Sequence, residues 1–305
     1  MNLNTGFEYR KENLESSDVG NRERINTGVF VHGEIDFPLS NLNIKFVPAV
    51  RYDHYSNFGS IYSPKFGILI RYGSIANLSF RANTGKSFRA PTFNDLWWPE
   101  DNWTKGNPDL KPETSHNFDC GISYHTLGSL QINLESTYFY RHIKDLILWQ
   151  PDENFRYSPD NIGKAKIYGL ENTIILRLLD YDSFLKITHT YLKAINKTKD
   201  SDYYNNSLIY KPEQKITFTT GCIIKSINIF FDYIIVTKQF SDKMNSNSLP
   251  QYNLLNSSFS YSFNIHKIKI DCSVKVKNLL NEDYLLMQDY PLPGRELLFS
   301  LGVEY

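Results

Sequence analysis

The chain has 305 residues, a formal net charge of zero and 15% aromatic residues, with 21 Tyr and 20 Phe. That length exceeds an average domain unless the chain forms one large β-structure, and the balanced charge gives no sign of a nucleic-acid partner. No run of 18 apolar residues occurs, which excludes a transmembrane helix. The three cysteines, Cys120, Cys222 and Cys272, stand alone without CxxC or metal spacing and imply no disulfide framework.

Period-2 alternation runs through the chain. It predicts about fourteen strands, near 2–10, 24–37, 42–53, 61–72, 76–86, 115–126, 129–149, 164–179, 183–195, 213–225, 227–239, 251–264, 267–279 and 295–305. In "KIKIDCSVKVKNL", Ile268, Ile270, Cys272, Val274 and Val276 oppose Lys267, Lys269, Asp271, Ser273, Lys275 and Lys277. In the last strand Leu297, Phe299, Leu301 and Val303 oppose Glu296, Ser300, Gly302 and Glu304. All three cysteines fall on apolar faces, as small hydrophobes do. Most of these strands exceed the usual globular strand and suit a tilted bilayer crossing of about 9–11 residues.

The connections alternate. Short ones fall at 38–41, 73–75, 127–128, 180–182 and near Ser226 and His266; long ones fall at 11–23, 54–60, 87–114, 150–163, 196–212, 240–250 and 280–294. This is the asymmetry of a transmembrane up-and-down β-barrel, with short periplasmic turns and longer extracellular loops. A soluble β-sandwich also alternates, but strands this long would make an unusually thick domain.

The longest connection lies within "GKSFRAPTFNDLWWPEDNWTKGNPDLKPETS" (85–115), which holds three of the chain's four tryptophans and four of its thirteen prolines. Pro91, Pro99, Pro108 and Pro112 fix φ and stiffen the loop without a ladder. Gly106-Asn107-Pro108-Asp109 predicts a tight turn. Nothing reads as an enzyme: the seven histidines show no HExxH or i, i+4 pair, and no GxSxG, P-loop or dinucleotide fingerprint occurs. No cofactor or metal is expected.

"SFRAPTFNDLWWP" followed by "GNPDLKPETS" resembles the mid-barrel signature of TonB-dependent outer-membrane receptors of the cobalamin and siderophore group. "NIGKAKIYGLE" (161–171), "VKNLLNEDY" (276–284) and "PLPGRELLFSLGVEY" (291–305) are similar to three further family motifs, in family order. The resemblance implies an all-β, antiparallel, plugged barrel of 22 strands, of which residues 1–305 would supply about fourteen as a partial, C-terminal portion. It also implies uptake of a scarce nutrient such as cobalamin or a ferric siderophore, with energy from the TonB complex acting through a plug. Outer-membrane lipid and the barrel assembly machinery are the other implied partners, and the bacterial outer membrane the implied location. The segment before Met1 that would hold a plug and signal peptide is expected to be missing, through a truncated frame, a split gene or excision. Loops of modest length point to the cobalamin-like branch. The alternatives are a passive pore closed at about fourteen strands and a surface β-protein without transport.

Candidate ligand contacts are Trp97, Trp98 and Trp103, rigid aromatics in the long loop, with the adjacent acids Glu100 and Asp101. Trp97 and Trp98 could equally belong to an aromatic girdle, and the two acids to a solvated loop tip. Phe88, Arg89, Pro91, Asn107, Pro108, Leu110, Pro112 and Glu113 match the family motif as scaffolding that holds the loop on the rim. Gly163 and Gly169 are expected at the start of a strand, with Glu171 pointing into the lumen. Asn278, Tyr284, Gly294, Arg295 and the terminal aromatic Tyr305 complete the motif set, with Arg295 a candidate for pairing with an acid on a neighbouring strand.

Overall fold

The computed structural model describes residues 1–73, 76–151, 156–179, 182–199 and 201–304. The strands follow one another as β1 (Asn2–Leu14), β2 (Arg22–Leu39), β3 (Leu42–Tyr55), β4 (Gly59–Tyr72) and β5 (Ala76–Arg89). A one-turn helix, α1 (Phe93–Trp97), precedes β6 (Glu113–Thr126), β7 (Leu130–Pro151), β8 (Tyr157–Leu178), β9 (Ser183–Asn196), β10 (Gln214–Ile224) and β11 (Ile227–Val236). Next come the short pair β12 (Gln239–Phe240) and β13 (Ser248–Leu249), then β14 (Tyr252–Ile265) and β15 (Ile268–Lys277). The short pair β16 (Leu285–Met287) and β17 (Tyr290–Pro291) precedes the last strand, β18 (Glu296–Glu304). Tyr305 lies outside the described residues.

Fourteen of these strands form one antiparallel sheet in the order of the chain, β1 through β11, then β14, β15 and β18. Every neighbour is a hairpin partner, so no crossover is needed. β1 and β18 are its two end strands. The two short pairs sit in the long connections after β11 and β15.

Face assignment follows from the pleat. Leu78, Phe80, Ile122, Tyr124, Leu134, Tyr138, Leu170 and Ile174 are exposed on one face of β5 to β8. The other face of the same strands carries Arg81, Asn83, Asp119, Glu135, Thr137 and Glu171, in matching register. There Asn83 Nδ2 donates to Asp119 Oδ2 at 2.8 Å and Arg81 Nη2 to Thr137 Oγ1 at 2.8 Å. Among the described residues only ten hydrophobics are buried, and no second sheet covers the apolar face. A large uncovered apolar surface needs an apolar environment, which a sandwich would have supplied from its own second layer. Cys120, Cys222 and Cys272 are free thiols on this outward face.

Strand boundaries depart from the sequence reading at the long-loop end. β7, at 22 residues, matches the expected 129–149 to within two residues, but β8, also 22 residues, begins at Tyr157 rather than near residue 164. Gly163 and Gly169 therefore lie inside a strand instead of at its start. The cause is a bulge between Ile143 and Leu146, with Asp145 at φ 56°, beyond which β7 and β8 stay paired as far as Pro151 and Tyr157. Pro159 looks like a strand breaker, but β8 pairs with β9 only from Ala165 onwards. Upstream of that point its partner strand is β7 alone, with one isolated bridge from Tyr157 to Thr104, and a missing N–H is tolerated at Pro159. The connection expected at 54–60 shrinks for the same kind of reason: Tyr55 pairs with Gly59.

Candidate functional site

The segment between β5 and β6 is a built structure. Thr92 caps α1: Asp95 N–H donates to Thr92 Oγ1 at 3.1 Å and Thr92 N–H donates back to Asp95 Oδ2 at 2.9 Å. This is a capping box with Asp in the third position. The Asp95 carboxylate also accepts Trp149 Nε1–H at 2.9 Å, and Arg89 Nη1 lies 3.7 Å away. The Asp95 carbonyl accepts Asn107 N–H at 2.8 Å. Burial alone would raise the Asp95 pKa. The Thr92 N–H, the Trp149 indole, the Thr92 hydroxyl and Arg89 outweigh it and hold the carboxyl below the usual aspartate range.

Around that hub the loop is fastened on two sides. Towards β2, the buried Arg24 (8% exposed) donates from Nη1 to the Pro91 carbonyl at 2.7 Å. Its other nitrogens reach Glu12 Oε2 at 2.9 and 2.5 Å, and its guanidinium lies over the Phe93 and Tyr55 rings. Arg22 lies over the Trp97 ring at 5.1 Å. Towards β7 and β8, Leu96, Leu110 and Ile147 form a small hydrophobic cluster, with Trp97 packed against it. Asn107 Nδ2 donates to the Pro159 carbonyl at 3.0 Å, and Lys111 N–H to Asn161 Oδ1 at 2.6 Å. Gly106 sits so close to the α1 end that a Cβ there would lie 2.5 Å from the Trp98 nitrogen and 2.9 Å from the Trp97 nitrogen. The 90–112 segment thus forms a strap from β2 to β8 across one end of the sheet.

The motif residues fall into this frame. Arg89 Nη2 donates to Glu113 Oε1 at 2.7 Å, and the same oxygen accepts Ile147 N–H at 2.8 Å. Phe88 meets Tyr55 edge-on, and Pro91 is fully buried. Asn107 makes the expected turn, with its Oδ1 accepting Asp109 N–H at 3.0 Å; Pro108 occupies the turn itself, and Pro112 leads into β6. At the far end of the chain, Asn278 (φ 48°) exchanges hydrogen bonds with the Glu282 backbone, and Tyr284 packs on Tyr252. Gly294 abuts Asn281, whose Oδ1 accepts Arg295 N–H at 3.0 Å. Among the described residues Arg295 has no carboxylate within ion-pair distance.

The candidate contact residues divide. Trp97 stacks on Phe93, and Trp98 Nε1 donates to Thr104 Oγ1 at 2.9 Å, so both are engaged within the strap. Trp103 is 76% exposed. Asp101 accepts Trp103 N–H at 2.7 Å and Thr104 N–H at 2.6 Å, and these bonds hold it below its usual range. Glu100 bonds Arg156 and lies 3.5 Å from Lys105, and is likewise held low by Arg156 first and then Lys105. Glu171 and Arg89 both line a cavity of about 1120 Å³ on the polar face, together with Lys65, Asp119 and Arg141. The three tryptophans do not line it. A Cβ at Gly169 would run into the Tyr191 carbonyl and the Phe139 ring, so the glycine lets β8 and β9 close up beneath that cavity.

Sequence reasoning missed Arg24 and Trp149, whose loop partners lie 67 and 54 positions away in the chain. Asp95 had a legible signal, the Thr92-x-x-Asp95 spacing before an apolar pair.

Comparison with known proteins then decides the family. The family described as "TonB dependent receptor-like, beta-barrel" matches residues 1–279. The chain belongs to this TonB-dependent receptor family. Among curated relatives, "Vitamin B12 transporter BtuB" of Photobacterium profundum is 26% identical over 304 residues, covering 97% of this chain and 46% of the relative. "Iron-regulated outer membrane virulence protein" of Vibrio cholerae is 26% identical over 238 residues, covering 69% of this chain and 34% of the relative. Among solved structures, the siderophore receptor PirA of Acinetobacter baumannii superposes with a TM-score of 0.76 at 19% identity, covering 98% of this chain and 51% of that one. The ferric enterobactin receptor PfeA of Pseudomonas aeruginosa, in complex with enterobactin, gives 0.76 at 18% identity, with 98% and 51% covered. These likenesses place the fold among TonB-dependent receptor barrels. The chain spans about half the length of the relatives it matches.

Proposed function

We propose that this chain forms wall and outer loops of an outer-membrane receptor that takes up a scarce, bulky nutrient, cobalamin or a ferric siderophore, with energy from TonB. The observation that carries the reading is the joint geometry: an apolar outward face, a polar inward face with a large cavity, and a strapped loop at the long-connection end. The long-connection end then faces the medium and the short turns face the periplasm. Unpaired strand edges are costly in lipid, so the edges of β1 and β18 are closed by further strands of the same barrel. Its curated relatives include vitamin B12 transporters, which favours cobalamin over siderophores as the first ligand to try.

Uptake of labelled cobalamin and of a labelled ferric siderophore by cells carrying the protein tests this. The reading expects saturable uptake that stops when the proton-motive force is dissipated. Non-saturable ion conductance by the purified protein in a planar bilayer, without such uptake, would instead identify a passive pore. Stability in water without detergent would identify a surface β-protein.

A further inference from the structure

On the outward face of β5 to β8, one rung of the ladder is cationic or imidazole on every strand. Lys86 stands opposite His116, His116 opposite His142, and His142 opposite Lys166. Lys144 and Lys164 follow two residues further along β7 and β8. Lys144, His116, Lys164 and Lys166 all act electrostatically on His142. Among the described residues, none of Lys86, Lys144, Lys164 and Lys166 has a carboxylate within ion-pair distance. Each directly opposed pair on this rung includes an imidazole, so no two lysines face one another across the ladder. The four lysines of the patch lack an anionic partner among the described residues, so an outside anion is the group that complements them.

The neighbouring rungs say where that anion lies. Immediately towards the short-turn end is Phe118–Tyr140–Tyr168, and Lys166 Nζ leans over the Tyr140 and Tyr168 rings at 5.2 Å from each. Next is Cys120–Tyr138–Leu170, and then the apolar band. Aromatic rungs of this kind sit at headgroup depth. The height agrees. Lys86 is ten residues above the start of β5 at Ala76 (86 − 76). At about 3.3 Å per residue and a tilt of about 40°, that is about 25 Å, the height of a barrel's apolar band.

We propose that this rung is a docking site for the phosphate-bearing headgroup of an anionic lipid in the leaflet on the long-loop side. The four strands carry the site across about 15 Å, enough to meet more than one phosphate. Lysine ammoniums donate charge-assisted bonds to phosphate oxygens, and the aromatic rung below seats the acyl chains. The inference rests on the membrane-barrel reading above.

The test uses the full chain, purified from outer membranes into nanodiscs of phosphatidylcholine doped with phosphatidic acid, with lipid retention read by native mass spectrometry. Wild type should retain phosphatidic acid preferentially. The double variant Lys86→Gln/Lys166→Gln should lose that preference by about 30-fold, as expected for two surface lysines. Lys11→Gln, which removes an outward lysine already paired with Glu23, should keep it. Equal retention by wild type and the double variant would overturn the headgroup site alone. Displacement of the lipid by millimolar inorganic phosphate would also overturn it, leaving a plain phosphate site. Failure of wild type to enter phosphatidylcholine nanodiscs at all would overturn the site and the barrel reading together.

Discussion

Replacing Asp95 by Ala should unfasten the strap without unravelling the sheet. The carboxylate accepts the Trp149 indole N–H and the Thr92 N–H, and lies near Arg89. Hydrogen bonds to a charged group contribute about 1.5–3 kcal/mol, and loss of a cap costs about 1 kcal/mol. The variant also leaves Trp149 Nε1 without an acceptor in a half-buried place. These effects overlap, so about 3 kcal/mol is a reasonable total, or about a hundredfold rise in local opening. Hydrogen exchange at the amides of Leu96, Trp98, Gly106 and Asn107 reads it directly, because all four donate within the strap. Exchange there should accelerate about a hundredfold, while amides of β14 and β15 stay protected. Asp95→Asn keeps an acceptor for Trp149 and should cost about 1 kcal/mol. Strap amides in Asp95→Ala that exchange within threefold of wild type would refute the claim that this carboxylate is the hub.

Gly106→Ala places a Cβ against backbone nitrogens of Trp97 and Trp98, which cannot yield as a side chain can. It should expose the strap to trypsin at Lys105 at least tenfold faster than wild type, and unchanged cleavage would contradict the close packing. Trp103→Ala should change stability by less than about 0.5 kcal/mol because the residue is exposed. If Trp103 is a ligand contact, the same variant weakens ligand binding several-fold in a titration on outer membranes. Asp101 has a folded pKa below its ordinary value of 3.8, so its contribution is present above about pH 4 and is lost as pH falls through the lower folded value. Exchange at the amides of Trp103 and Thr104 should therefore stay slow from pH 7 to 5, after correction for intrinsic rates, and quicken below about pH 4. Asp101→Asn should move that loss of protection to neutral pH.

Strands declare themselves in sequence when one face is apolar and the other polar over ten residues, as in "KIKIDCSVKVKNL", and there the reading and the structure agree to within two residues. It fails at Pro151 and over Tyr157–Gly163, which it reads as connection. There Pro151, Pro159 and Gly163 look like loop residues, and only the bulge at Asp145 and a one-sided neighbour make them strand. The site was partly legible. The turn at Asn107–Asp109 could be read from Gly106-Asn107-Pro108-Asp109, because turn chemistry is local. The fastening by Arg24 and Trp149 was not legible, because it depends on which strands the loop folds over.

The most direct test uses the three native thiols, since the central claim is that the apolar face meets lipid and the polar face meets water. In native outer membranes Cys120, Cys222 and Cys272 should resist a membrane-impermeant maleimide and react fully only after denaturation. A cysteine placed on the opposite face, Asn117→Cys, should react at once. Rapid labelling of the native thiols in intact membranes would contradict the account.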